Sequence, residues 1–128
     1  MKVKCGDIIE VKTSKGIAYA LYTHRHPRYG ALLRVFDGLF ATSPDNLGDI
    51  VTLAVRFATF FPLQAAVDRG FVTVVGNVPI PDNLKPFPVF RAGAVDPHTK
   101  KVASWWLWDG QREWQVGDLT AEERQLPI

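Results

Sequence analysis

A single cysteine, Cys5, in a chain of 128 residues rules out an internal disulfide framework and leaves the fold to rest on its own core. No apolar run reaches the roughly 18 residues that a membrane-spanning helix requires. Nothing near the start resembles a signal-peptide cleavage site, so the expected setting is the cytoplasm, with no membrane partner. Excess charge is scarce too: the formal net charge is +2. Residues 1–40 carry seven Lys or Arg against three Asp or Glu, residues 41–91 four against four, and residues 92–128 four against six. A nucleic-acid-binding domain usually shows a larger and more clustered excess, which makes nucleic acid a weak partner candidate. A P-loop, a GxGxxG fingerprint and a GxSxG elbow are all missing, so nothing points to nucleotide binding or to serine-hydrolase chemistry of that type.

What is present is apolar and aromatic: 47% hydrophobic residues and 12% aromatics. A chain of this size buries about two-thirds of its unfolded surface on folding. One domain over residues 1–128 is therefore expected. Gly6 and Asp7 open a first strand at residues 8–12, and Thr13-Ser14-Lys15-Gly16 has the composition of a reversing turn. Residues 17–23 are apolar on both alternating faces, with Ile17, Tyr19 and Leu21 on one and Ala18, Ala20 and Tyr22 on the other. That pattern predicts a central strand covered on both sides. Charge, Pro27 and Gly30 interrupt it at residues 24–30, and residues 31–36 resume it, giving three antiparallel strands.

Asp37-Gly38 predicts a tight turn. Ser43 followed by Pro44 predicts an N-cap and a short helix that Gly48 limits to about one turn. From residue 49 to 61 alternation predicts one long strand, with Val51, Leu53, Val55, Phe57 and Phe61 on its core face. Residues 62–70 predict a short helix ended by Gly70. Residues 71–75 predict a core strand that bends or bulges at Gly76-Asn77. Pro79, Pro81, Pro86 and Pro88 then describe an extended strap whose Val78, Ile80, Leu84 and Phe87 cap the core. A short strand at 89–92 and a polar loop at 93–101 precede a hairpin of residues 103–108 and 113–116 about Asp109-Gly110. With a two- or four-residue loop, Trp114 shares a face with Trp105 and Leu107; with three residues it joins Trp106 and Trp108. Thr120-Ala121-Glu122-Glu123 fits a capping box for a short C-terminal helix. The expected fold class is mainly β, a β-rich α+β fold. Its form is a twisted antiparallel sheet or partly open SH3-like barrel, with one or two short helices including a C-terminal one.

Several chemistries can be set against these residues. His24 and His26 are two apart and would share a strand face, yet a metal site lacks further ligands nearby. Cys5 reads as a small semi-buried residue and not as a thiolate nucleophile. Asp37, Asp49, Asp68, Asp109 and Glu113 are scattered, and spacing selects no catalytic pair among them. His24, Arg25, His26, Arg28 and Tyr29, with Arg34, form a basic and aromatic group of the kind that single-stranded nucleic acid uses. No metal, cofactor or catalytic residue is therefore assigned.

Three segments together, GDIIEVKTSKGIAYALYTHRH, VVGNVPIPDNLKPFPVFR and WWLWDGQREWQVGDLTAEERQLP, resemble the immunity protein 26 family of bacterial polymorphic toxin systems over nearly the full length. The resemblance implies a small cytoplasmic protein, not an enzyme, that neutralises a cognate toxin domain by covering its active surface. The expected partner is that toxin domain. The expected contact residues are His24, Arg25, His26, Arg28 and Tyr29 on one turn, and Trp105, Asp109, Glu113 and Trp114 on the Trp hairpin, with a possible acidic patch from Asp109, Glu113, Asp118, Glu122 and Glu123. A nucleic-acid-binding module and an enzyme with a spatially assembled site are the alternative readings.

Overall fold

The alternating run after Gly6 leads directly into the sheet. Strands β1 (Asp7–Thr13) and β2 (Gly16–His26) pair antiparallel, with Thr13 opposite Gly16 as the last pair. The intervening turn is therefore only Ser14-Lys15, closed by Thr13 Oγ1 donating to the Gly16 carbonyl at 2.7 Å. The computed structural model describes residues 2–95, 102–116, 123 and 126. The chain forms two compact units, Met1–Lys85 and Pro86–Ile128.

In the first unit β2 pairs with β3 (Gly30–Phe36), and β3 with β4 (Val55–Phe61). β5 (Thr73–Asn77) returns to the outer side of β1, so the order is β4-β3-β2-β1-β5 and the sheet is open, with β4 and β5 as its edges. Both faces are covered, as the two apolar faces of residues 17–23 predict. On one, Ile9, Ala20, Tyr22 and Leu33 meet Leu63 and Ala66 of helix α1 (Leu63–Asp68) and Val72. On the other, Ile8, Tyr19, Leu21 and Phe36 meet Ile50 and Leu84. Each such fully buried side chain contributes about 1.5–3 kcal/mol through removal of apolar surface from water.

Two buried carboxylates of this unit are paired. Glu10 accepts from the Tyr19 hydroxyl at 2.8 Å and from Ser43 Oγ at 3.0 Å, and Asp7 accepts from the Lys4 N–H and from Asn77 Nδ2, both at 2.9 Å. Gly6 is held between two segments: its N–H donates to the Tyr22 carbonyl at 2.8 Å, and its carbonyl accepts from the Val78 N–H at 2.9 Å. Its φ is +94°, and a Cβ there would stand 2.6 Å from the Val78 carbonyl oxygen. Glycine alone satisfies both demands.

Several elements differ from expectation. Residues 49–61 do not form one strand: Asn46, not Ser43, caps a 3-10 turn at Leu47–Thr52 through its side chain, which accepts from the Gly48 N–H at 2.9 Å, and the strand begins only at Val55. β4 then carries a register shift opposite Val35 and Phe36. That shift turns Val55 toward the Tyr19 cluster and Phe57 toward the opposite face, where Phe57 is 48% exposed. Leu53 is exposed as well, so the five-residue core face is not formed. β2 runs on through the charged residues to His26, with a shift between Tyr22 and His24. Phe71 is 70% exposed and precedes β5, while Gly76 lies beside the predicted irregularity, an unpaired Val75.

The strap follows expectation in this unit. Val78, Ile80 and Leu84 pack on the Tyr19 cluster, and Asp82–Leu84 makes a 3-10 turn. In the second unit β6 (Phe90–Val95), β7 (Val102–Trp108) and β8 (Glu113–Val116) form an antiparallel sheet in that order. Phe87, Phe90 and Trp108 pack edge to face or tilted, with ring centres 5.5–6.1 Å apart. β6 reaches Val95, beyond the predicted strand end. The rest of the predicted polar loop and the start of the predicted C-terminal helix lie outside the described residues.

Candidate partner-binding surfaces

The β2–β3 hairpin determines where the first group of expected contact residues goes. Because His26 pairs with Gly30, Pro27-Arg28-Tyr29 forms the connection, and His26 Nδ1 accepts from the Arg28 and Tyr29 N–H groups at 3.1 and 3.3 Å. Tyr29 is thereby folded back over the strand ends. Its ring lies 5.2 Å from His26 and 5.4 Å from Phe60 of β4, and the Arg28 guanidinium sits over it at 5.7 Å. The result is a fixed cluster of His26, Arg28, Tyr29 and Phe60, in which Tyr29 remains 52% exposed.

His24 and Arg25 do not join this cluster. The His24 Nε2 donates to the Lys85 carbonyl at 2.6 Å, which leaves Nδ1 of the neutral ring to accept from Thr23 Oγ1 at 2.9 Å. His24 thus ties the strap to the sheet. Arg25 points to the other face, where it lines a cavity of about 320 Å3 together with Lys2, Tyr22 and the first residues of α1. On that same face, beyond α1, an apolar hollow of about 350 Å3 lies over Val11, Val35, Phe57 and Thr59. Alternation does not reveal Phe60, because a reading that places Phe57 and Phe61 on the core face puts Phe60 on the other face.

Burial lowers the His24 pKa from its ordinary 6.5; the Lys85 carbonyl pulls it back up, and the positive charge of Arg34 lowers it further. A depressed folded-state pKa means that the unfolded chain takes up the proton first. Stability is then complete above pH 6.5 and falls as pH drops from there toward the folded-state pKa. Thermal melts at pH 7.5 and 5.5 should show a larger loss of Tm for the wild type than for His24→Gln, whose amide can still donate to the Lys85 carbonyl without titrating. Equal losses would show that His24 does not sense pH through folding.

In the second unit the hairpin loop is four residues long, Asp109 to Arg112, and Leu107 pairs with Trp114. Trp114 therefore shares a face with Trp105 and Leu107, the outcome that loop parity predicts for a four-residue loop. Leu107 is buried, Trp105 is half-buried beneath the Arg91 guanidinium at 5.3 Å, and Trp114 is 36% exposed. Glu113 pairs with Trp108 and stands on the opposite face from Trp114. Asp109 works inside the loop: its carboxylate accepts from the Arg112 N–H at 2.8 Å and the Gln111 N–H at 3.0 Å. These bonds hold its pKa below the ordinary carboxylate range. Gly110 has φ +96°, and a Cβ there would lie 2.7 Å from the Phe87 ring, so this turn too requires glycine. Asp118 and Glu122 lie outside the described residues.

Two of the scattered acids have structural partners. Asp37 approaches Arg56 at 4.0 Å and Asp68 accepts from Gln64 Nε2 at 3.0 Å. Cys5 is exposed and not semi-buried; partial desolvation of the thiol and then the charge of Asp7 raise its pKa, which disfavours the thiolate. Among the described residues no group of three His, Cys, Asp or Glu side chains is placed to hold a metal ion, and no helix is long and apolar enough to cross a membrane. No family model, curated protein or solved structure matches the chain.

Proposed function

We propose that this chain is a non-catalytic binding protein of the immunity type, which neutralises a bacterial toxin domain by covering its active surface. The observation that carries the reading is the pinned Tyr29. An aromatic side chain more than half exposed is held by two rings and an overlying guanidinium, so little conformational freedom is lost when a partner closes over it. Tyrosine and arginine are also the side chains that most often dominate interface energetics. Resemblance to the immunity protein 26 family supplies the kind of partner. A cationic rim at Arg28 suits a toxin surface with acidic groups, where complementary charge speeds encounter.

The test is co-purification of the full chain with the toxin domain encoded beside its gene. A one-to-one complex that persists in moderate salt is the expected result. Absence of a complex with any neighbouring toxin domain would end the immunity reading.

A further inference from the structure

We infer that strand β4 is a docking edge, and that the toxin domain adds an extended segment of its own along it, lengthening the sheet by one strand. This inference rests on the toxin-binding proposal and says how that partner is gripped.

β4 ends the order β4-β3-β2-β1-β5, and no strand lies along its outer side among the described residues. In an antiparallel pair alternate residues turn their N–H and C=O groups away from the neighbouring strand, so β3 satisfies only half of the β4 backbone. Natural sheets usually blunt such an edge with proline, lysine or a bulge. β4 has its one register shift before Phe57, its one charge at Arg56 and no proline. From Phe57 to Phe61 it pairs without a break with Val35 to Ala31 and carries no charge at all. The opposite edge is treated differently: β5 holds Gly76 and an unpaired Val75, and it runs into the proline strap.

Apolar surface is left open on each side of this edge. On the α1 face Phe57 is 48% exposed and lines the hollow of about 350 Å3 with Val11, Val35 and Phe61, where the open surface is apolar. On the other face Phe60 touches Tyr29, so the edge is continuous with the Tyr29 surface. A hollow alone does not say what fills it, but the backbone beside it does. Only a chain in β conformation can take up the outward N–H and C=O groups and still send side chains at period two to both faces.

Charge selects a foreign strand over a second copy. Arg28, at the Phe60 end of the edge, forms no ion pair among the described residues. β4 contains no acid to offer it, and antiparallel pairing of β4 with itself would turn Arg56 of the other copy toward that end. An incoming strand with an apolar centre and an acid at the Arg28 end fits, and a copy of this one does not.

The experiment follows amide exchange at residues 55–61 by NMR in the full chain, free and bound to the toxin domain, with sedimentation of the free chain beside it. In the free chain these amides should alternate fast and slow, and the chain should sediment as a monomer. In the complex the fast set should slow by at least about tenfold, since each outward N–H gains a strand partner. Phe57→Lys places a charge at the hollow, on a site already half in water, and should weaken the complex at least about tenfold. Phe71→Lys, at a site 70% exposed that precedes β5, should leave affinity unchanged. A complex in which the alternation persists, or equal losses in the two variants, would overturn the docking edge and leave the toxin reading standing. Uniformly slow amides in the free chain, with or without a concentration-dependent dimer, would overturn it as well. Absence of any complex would remove both proposals together.

Discussion

Leu84→Ala is expected to reduce the unfolding free energy by about 2–5 kcal/mol, the range for removing a fully packed leucine and leaving its cavity. Leu84 is 4% exposed and packs in the cluster of Ile8, Tyr19, Leu21, Phe36 and Ile50, although it comes from a strap containing four prolines. Its 3-10 turn is closed by the Leu84 N–H on the Pro81 carbonyl at 2.9 Å and the Lys85 N–H on the Asp82 carbonyl at 3.3 Å. His24 fixes the next carbonyl. A strap held at these points cannot sink inward to fill the space, so the cost should lie above the low end of the range. The exposed Lys85–Asp82 ion pair, 2.8 Å apart, adds little, because two solvated side chains lose entropy in making it. Urea unfolding would show a lower midpoint at unchanged slope. Leu39→Ala, at a site 53% exposed, should stay within about 0.5 kcal/mol of the wild type. A Leu84→Ala loss below about 1 kcal/mol would show that the strap is not part of the core.

Tyr29→Ala should weaken the complex with the toxin domain by about 2 kcal/mol, roughly 30-fold, while changing Tm little. The small folding effect follows from exposure: more than half of the side chain is already in water, and His26 keeps its bonds to the turn N–H groups whatever residue stands at 29. The binding effect follows from order, since the ring is presented in one arrangement against His26 and Phe60. Most of the change should appear as faster dissociation. Tyr29→Phe keeps both ring contacts and the cation above the ring, and should lose far less. Equal losses in the two variants would move the energy from the ring to the hydroxyl.

Residues 17–23, apolar on both alternating faces, correctly predict a strand with a cluster on each side, because two-sided burial leaves a period-2 signal with no polar face. Trp114 stayed open between two faces, because parity depends on a loop length that the sequence does not state; the four-residue loop decides it. The failures arise where backbone geometry breaks the count. Residues 47–52 imitate strand alternation although they form a 3-10 turn capped by Asn46. A single register shift in β4 then separates Val55 and Phe57 onto opposite faces, and nothing in VRFATFF announces it.

The candidate surface was legible only as a group. His24, Arg25, His26, Arg28 and Tyr29 look like one basic turn, but strand geometry divides them. His24 goes to the strap, Arg25 to the α1 cavity, and His26, Arg28 and Tyr29 to an aromatic cluster completed by Phe60. Phe60 lies 31 residues further along the chain and meets Tyr29 only because β4 pairs with β3.

Hydrogen–deuterium exchange of the full chain, alone and in complex with the toxin domain, tests the central claim most directly. The account predicts slower exchange at residues 26–30 and around Phe60 in the complex, with protection absent from the β1–β2 turn at Ser14-Lys15. A stable complex in which residues 26–30 exchange as fast as in the free protein would contradict it.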